Sequence, residues 1–161
     1  MTITIVVGPP CSGKSTYVSE NKNNSDIQVD FDALAVALGS ETKHASDGDI
    51  RRCTWSVRDQ AIDWILYNDA SAFIIHSRPS EEKVNRYIEA GCNFIMLDPG
   101  KEACLERCDE DSRPEGTKDE IENWYDNPPV FPDSISMTVI ENKFPQRERL
   151  ERFANMLQIT G

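Results

Sequence analysis

Gly8-Pro9-Pro10-Cys11-Ser12-Gly13-Lys14-Ser15-Thr16 follows the apolar, β-branched run Ile3-Thr4-Ile5-Val6-Val7 and opens into a helix-compatible segment over 16–21. The spacing is G-x-x-x-x-G-K-[ST], in the strand–loop–helix setting that this motif requires. A loop with glycine at both ends can wrap a phosphate chain and point its backbone N–H groups inward. The following helix adds the positive end of its dipole. Lys14 is then placed for β- and γ-phosphates and the Ser15 hydroxyl for Mg²⁺. The whole stretch, Gly8 to Thr16, is therefore the expected cradle of a nucleoside triphosphate.

The rest of the chain alternates strand and helix patterns. Ile27-Gln28-Val29 reads as a short strand ending in Asp30-Phe31-Asp32, with a helix over 33–38 stopped by Gly39. Polar residues 40–48, including His44, read as a loop. The longest helical pattern covers 49–68, with Trp55, Ala61, Ile62, Ile65 and Leu66 as its apolar stripe. Ala72-Phe73-Ile74-Ile75 and Asn93-Phe94-Ile95-Met96-Leu97 are continuous apolar runs, as expected of strands buried on both faces of a parallel sheet. Between them, Ser80 caps a helix with Glu81 and Glu82 in its first turn. A short helix over 101–108 leads into the polar segment 109–116. Thr117-Lys118-Asp119-Glu120 has the spacing of a capping box. A last strand is expected over 135–140 and a final amphipathic helix over 146–157. The pattern predicts an α/β fold, a parallel sheet with helices on both faces, in one domain spanning 1–161. Ligands of such sheets bind at the carboxyl ends of the strands.

Composition narrows the function. Hydrophobic residues make up 39% of the 161 and charged residues 28%, which places the chain among globular proteins with a core. No apolar stretch reaches the length of a membrane span, and the N-terminal apolar run lacks the basic region of a signal peptide. The expected location is the cytoplasm (a host's cytoplasm if the chain is phage-encoded). Five scattered cysteines, Cys11, Cys53, Cys92, Cys104 and Cys108, fit a reducing compartment. Cys104 and Cys108 share a helix face and read as small buried hydrophobes rather than a zinc site. A net charge of −11 with dispersed basic residues disfavours extensive non-specific binding of duplex nucleic acid. A nucleotide or a nucleic-acid end remains compatible, because a local positive cleft can coexist with an acidic exterior.

Several residues could carry chemistry. Asp30 and Asp32 follow the second strand at the edge that holds the phosphate loop. A carboxylate there can take the proton of an attacking hydroxyl or hold Mg²⁺. Asp32 could equally cap the helix that follows. Asp98 is either a strand-end acid or a turn residue before Pro99-Gly100. Arg107 and Arg113 flank the acidic segment and could close over a triphosphate as its charge shifts. Trp124 and Tyr125 read as packing residues, with base stacking as the alternative.

The phosphate loop, Asp30-Phe31-Asp32, the strand end Ile74-Ile75-His76-Ser77, and Leu105-Glu106-Arg107 with Arg113-Pro114 together resemble the small P-loop kinases. The likeness is to the kinase domain of bacteriophage polynucleotide kinase and related phage P-loop ATPases. It implies a three-layer P-loop NTPase fold with about five parallel strands and a short lid near 107–117. It also implies ATP and Mg²⁺ as cofactors, Asp32 as the preferred base with Asp30 next, and Arg107 and Arg113 as lid arginines. Ser15 and Asp30 would be the metal ligands. The sequence departs from that pattern at three places. Cys11 stands where glycine is common, as either a tolerated substitution or a redox-sensitive position. Ala35 stands where an arginine often follows the strand-two acid, and Ser77 where an acid often follows strand three. His44, Arg58 and Arg78 are the candidates to replace those substrate contacts. The resulting expectation is an ATP-dependent kinase acting on a hydroxyl of a nucleoside, nucleotide or nucleic acid, such as a 5′-hydroxyl end or a hydroxymethylated base in DNA. The alternatives are a P-loop ATPase or nucleotide-binding regulator with no phosphoryl acceptor, and a non-catalytic nucleotide-binding module. None of Asp30, Asp32 and Asp98 is followed by the glutamate that often activates water in such ATPases, and Lys14-Ser15 is intact.

Overall fold

The computed structural model describes residues 1–44 and 48–141. In chain order the elements are β1 (Ile3–Val7), α1 (Lys14–Asn21), β2 (Ile27–Val29), α2 (Phe31–Ala37), α3 (Gly48–Asn68), β3 (Ala72–His76), α4 (Glu81–Glu89), β4 (Asn93–Leu97), α5 (Lys101–Glu110), α6 (Thr117–Asp126) and β5 (Met137–Ile140). The five strands are parallel in the order β2-β3-β1-β4-β5. The helix expected over 146–157 lies outside the described residues.

β1 is the centre of the sheet, and all of its residues are buried. Its two faces serve two cores, as the period of two dictates. Ile3, Ile5 and Val7 join Val29, Ile74 and Phe94 against Ile62 and Ile65 of α3 and Tyr87 of α4. Val6 points the other way, packing with Ile75 and Leu97 against Val18 of α1. Helices therefore cover both faces, which is why these strands carry no polar alternation. Each fully buried aliphatic side chain contributes about 1.5–3 kcal/mol, so β1 is the least replaceable strand.

Several element boundaries differ from expectation. Helix α1 starts at Lys14 rather than residue 16, because Gly13 turns the chain with φ 89° and serves as its N-cap. Helix α2 starts at Phe31, and its N-cap is Asp30, whose carboxylate accepts from the Asp32 amide. Asp32 therefore lies in the first turn and is not the cap. The expected capping box at Thr117 is absent. Gly116 (φ 92°) holds the N-cap position with no side-chain hydrogen bond, and Thr117 is already helical. Ser80 does cap α4, accepting from the Lys83 amide.

Candidate active site

The phosphate loop runs from the end of β1 into α1, at the carboxyl edge of the sheet. Close packing explains its first glycine: a Cβ on Gly8 would sit 2.5 Å from the Leu97 carbonyl oxygen and 2.7 Å from Ser12 Oγ. Cys11 adopts the left-handed region with φ 62°, where a non-glycine residue is strained. Its side chain is buried against Cys104, Cys108 and Ile121. That burial pushes the Cys11 thiol up to about 11, which keeps it neutral and a poor nucleophile.

Lys14 folds back over the loop and donates to the carbonyl oxygens of Gly8 (2.8 Å) and Pro9 (2.6 Å). Burial lowers its ammonium to about 8, against the pull of Asp30 and the neighbouring thiols. The Ser15 hydroxyl donates to Asp30 Oδ2 at 2.7 Å, while Asp30 Oδ1 caps α2. Asp30 thus has one oxygen committed to the backbone and one aimed at the loop. A hydroxyl and a carboxylate oxygen side by side suit Mg²⁺, which takes few protein ligands and completes its shell with water and phosphate oxygens. Among the described residues no group of three or more His, Cys, Asp or Glu side chains could hold a metal by itself.

Two residues on, Asp32 faces His44, with Oδ2 2.8 Å from Nδ1. Arg113 Nη1 reaches the same Nδ1 at 2.8 Å, and its Nη2 pairs with Asp111 at 3.4 Å. A neutral imidazole nitrogen can donate to the carboxylate or accept from the guanidinium, not both. Arg113 and Asp32 therefore compete for one atom. Burial raises the Asp32 carboxyl above the usual carboxylate range, with His44 opposing the shift. A raised pKa is what a general base needs if it is to pass its proton on.

Arg107 does not sit in the turn with Arg113. It lies within α5, is 6% exposed, and donates from Nη1 to the Cys11 carbonyl at 3.4 Å. Arg113 alone is carried by the turn between α5 and α6. Arg58 is also buried, 4% exposed, and donates to the Ile75 carbonyl (3.0 Å) and His76 Nδ1 (2.7 Å). With Nδ1 accepting, the His76 proton is assigned to Nε2, which donates to the Tyr87 hydroxyl at 2.7 Å. Burial, then the Arg58 charge, holds His76 neutral. Arg78 is exposed and donates to the Asn123 carbonyl of α6 at 3.0 Å. Asp98 is a turn residue: it accepts from the Gly100 amide and from the Tyr125 hydroxyl (2.7 Å). Trp124 is buried and donates to the Ser77 carbonyl at 2.8 Å, so both aromatics of α6 pack and neither is free to stack.

The loop from Pro10 to Thr16 shares with Asp30, Asp32, His44 and Arg113 a cleft of about 820 Å³, which Asp98, Trp124 and Tyr125 do not line. Of the chain's 17 basic residues, eight line it: Lys14, Lys43, Arg51, Arg58, Arg78, Lys83, Arg107 and Arg113. Only four carboxylates do, Asp30, Asp32, Asp111 and Glu120. An acidic protein has gathered its cations into one hollow, as binding of anions requires. The cleft also contains Phe31 and Trp55, which sequence reasoning did not single out as site residues. Trp55, expected in the apolar stripe of α3, is 42% exposed. The one available signal was its position three residues before Arg58. Among the described residues no helix is long and apolar enough to cross a membrane.

The fold is that of the small P-loop kinases. A chain of the Pnkp1/Rnl/Hen1 RNA repair complex matches with a TM-score of 0.60 at 20% identity, over 76% of this chain and 42% of that one. A sugar kinase from Janibacter sp. matches at 0.59 with 16% identity, over 99% and 95%. Shikimate kinase from Acinetobacter baumannii matches at 0.58 with 12% identity, over 99% and 94%. No protein-family model and no curated protein matches the sequence. At these identities the likeness is one of fold, and the site must supply the function.

Proposed function

We propose that the protein is an ATP-dependent kinase that transfers the γ-phosphate to a hydroxyl of a nucleoside, nucleotide or nucleic-acid acceptor. The observation that carries this reading is the convergence, in one cation-lined cleft, of the phosphate loop, the Ser15–Asp30 pair and a second carboxylate, Asp32, held by His44 rather than by the loop. A nucleotide-binding module needs the first two. The third is what a phosphoryl acceptor needs.

In this reading Lys14 leaves the Gly8 and Pro9 carbonyls for the β- and γ-phosphates, exchanging neutral partners for charged ones. Ser15 and Asp30 would hold Mg²⁺, which supplies charge neutralisation on the phosphates when bound. Asp32 takes the proton of the acceptor hydroxyl as its oxygen bonds to phosphorus and the bond from phosphorus to the β,γ-bridging oxygen breaks. ADP carries away the electron pair of that bond. Arg113, released from His44, neutralises the oxygens of the transferring group. Arg107 stabilises the loop from behind through the Cys11 carbonyl.

The test is incubation with γ-labelled ATP and a panel of nucleosides, nucleotides, hydroxyl-ended oligonucleotides and hydroxymethyl-base DNA. Label is expected on an acceptor hydroxyl. Label released only as free phosphate would refute the kinase reading and identify an ATPase.

A further inference from the structure

Phe31 and Trp55 form an aromatic pair in the wall of the cleft, with ring centroids 4.6 Å apart and planes tilted by 46°. Phe31 lies between Asp30 and Asp32 in sequence, so the pair adjoins the base. A cation lies over each ring: Arg51 Cζ is 5.8 Å from the Phe31 centroid, and Arg58 Cζ is 5.2 Å from that of Trp55. The pair is not a sealed piece of core, because Trp55 is 42% exposed and lines the cleft.

Arg58 is the second, independent observation. It is 4% exposed, and its hydrogen-bond partners, the Ile75 carbonyl oxygen and the neutral His76 imidazole, carry no negative charge. Its Nε is buried with no hydrogen-bond partner. Burial disfavours this charge and lowers its pKa. Asp59 and Asp30 pull on it through space without hydrogen-bonding it, and a buried cation with no carboxylate bonded to it is costly unless a ligand supplies the anion.

We propose that Trp55, seated on Phe31, is the acceptor platform: its exposed part stacks a planar heteroaromatic ring of the acceptor, while Arg58, whose guanidinium lies against the same indole, takes the acceptor's anionic group. This rests on the kinase reading for the word acceptor, but the binding it asserts stands or falls separately. It makes Trp55 and Arg58 the residues that select a ring-bearing anion over an aliphatic polyol. A polyol fills neither the flat face nor the charge.

The experiment uses the full chain with its phosphate loop already occupied by a non-hydrolysable ATP analogue and Mg²⁺. Nucleoside monophosphates, a short hydroxyl-ended oligonucleotide and ribose 5-phosphate are each titrated while tryptophan fluorescence and heat are followed. The ring-bearing ligands are expected to quench fluorescence and ribose phosphate to leave it unchanged. Trp55→Phe keeps a stacking face, so binding by calorimetry should stay within about threefold while the quench disappears. Trp55→Leu should weaken ring-bearing ligands by about tenfold to a hundredfold, the range for one lost stack. Arg58→Met should weaken the monophosphates more than the parent nucleosides, and thermal midpoints establish that each variant is folded. Equal binding by wild type and Trp55→Leu, or an equal quench by ribose phosphate, would overturn the proposal. Binding as expected with no label transfer to any acceptor would refute the kinase reading and leave the platform standing.

Discussion

Raising the pH from 7.5 to 9.5 should weaken ATP binding through one side chain. Burial holds the Lys14 ammonium at about 8 in the free protein, whereas the triphosphate requires the charged form. The competent fraction multiplies the affinity directly. It falls from about three quarters at pH 7.5 to about one thirtieth at pH 9.5, each unit of pH above the pKa costing a factor of ten. The dissociation constant should therefore rise about 25-fold across that window. Phosphate titrates near pH 6, so its own charge stays constant there. The sign is fixed: binding restores the proton, so the complex takes up close to one proton at pH 9 and little at pH 7. Calorimetry in buffers of different ionisation enthalpy reads that uptake, and repeating the titration with Lys14→Arg removes it, since arginine stays charged. A flat affinity over the window, or proton uptake that survives in Lys14→Arg, would refute the assignment of Lys14 as a buried, half-titrated cation.

Gly8→Ala must displace either the Leu97 carbonyl or the Ser12 hydroxyl, since its Cβ would lie 2.5 and 2.7 Å from them. It should cost about 1–3 kcal/mol, the scale of overpacking, in urea unfolding, and abolish nucleotide binding. Asp32→Asn should retain ATP binding and lose acceptor phosphorylation by about 10²- to 10⁴-fold, whereas Asp30→Asn should also raise the Mg²⁺ requirement. Full activity in Asp32→Asn with a dead Asp30→Asn would reverse the two roles. Stability should fall as pH rises between 9 and 11, because the Cys11 thiol ionises at 9.0 when unfolded and at about 11 when folded. That proton linkage is lost in Cys11→Ala, so the two denaturation curves should converge by about 2 kcal/mol over the window.

The phosphate loop was legible because its chemistry is fixed by spacing along the chain, and the sheet because runs buried on both faces carry no polar alternation. The division of labour between Asp30 and Asp32 was not legible. It depends on where α2 begins, and Asp30 starts that helix itself by taking the extended backbone and capping it. Arg58 shows a signal that was present and outweighed. Thr54, Arg58, Ile62 and Ile65 are the buried residues of α3, at spacings of four, four and three. The period therefore placed Arg58 inward, whereas sequence reasoning treats it only as a candidate substrate contact, outside the apolar stripe. Thr117 misled for the opposite reason: the cap spacing was right, but Gly116 turned the chain one residue earlier.

Helix α6 has a mechanical consequence. Trp124 ties it to the end of β3 through Ser77, and Tyr125 to the end of β4 through Asp98. Ile121 locks it to Cys104 and Cys108 of α5. The helices on either side of the Arg113 turn are thus fixed posts. The short span between them turns the chain through positive φ at Ser112 (48°) and Gly116 (92°). Under the proposed kinase reading, closing over a nucleotide would need only this span to move and Arg113 to exchange partners, with no swinging domain. Opening would then break a few contacts and re-expose little apolar surface, so a short stroke is the expectation and release would have little to undo.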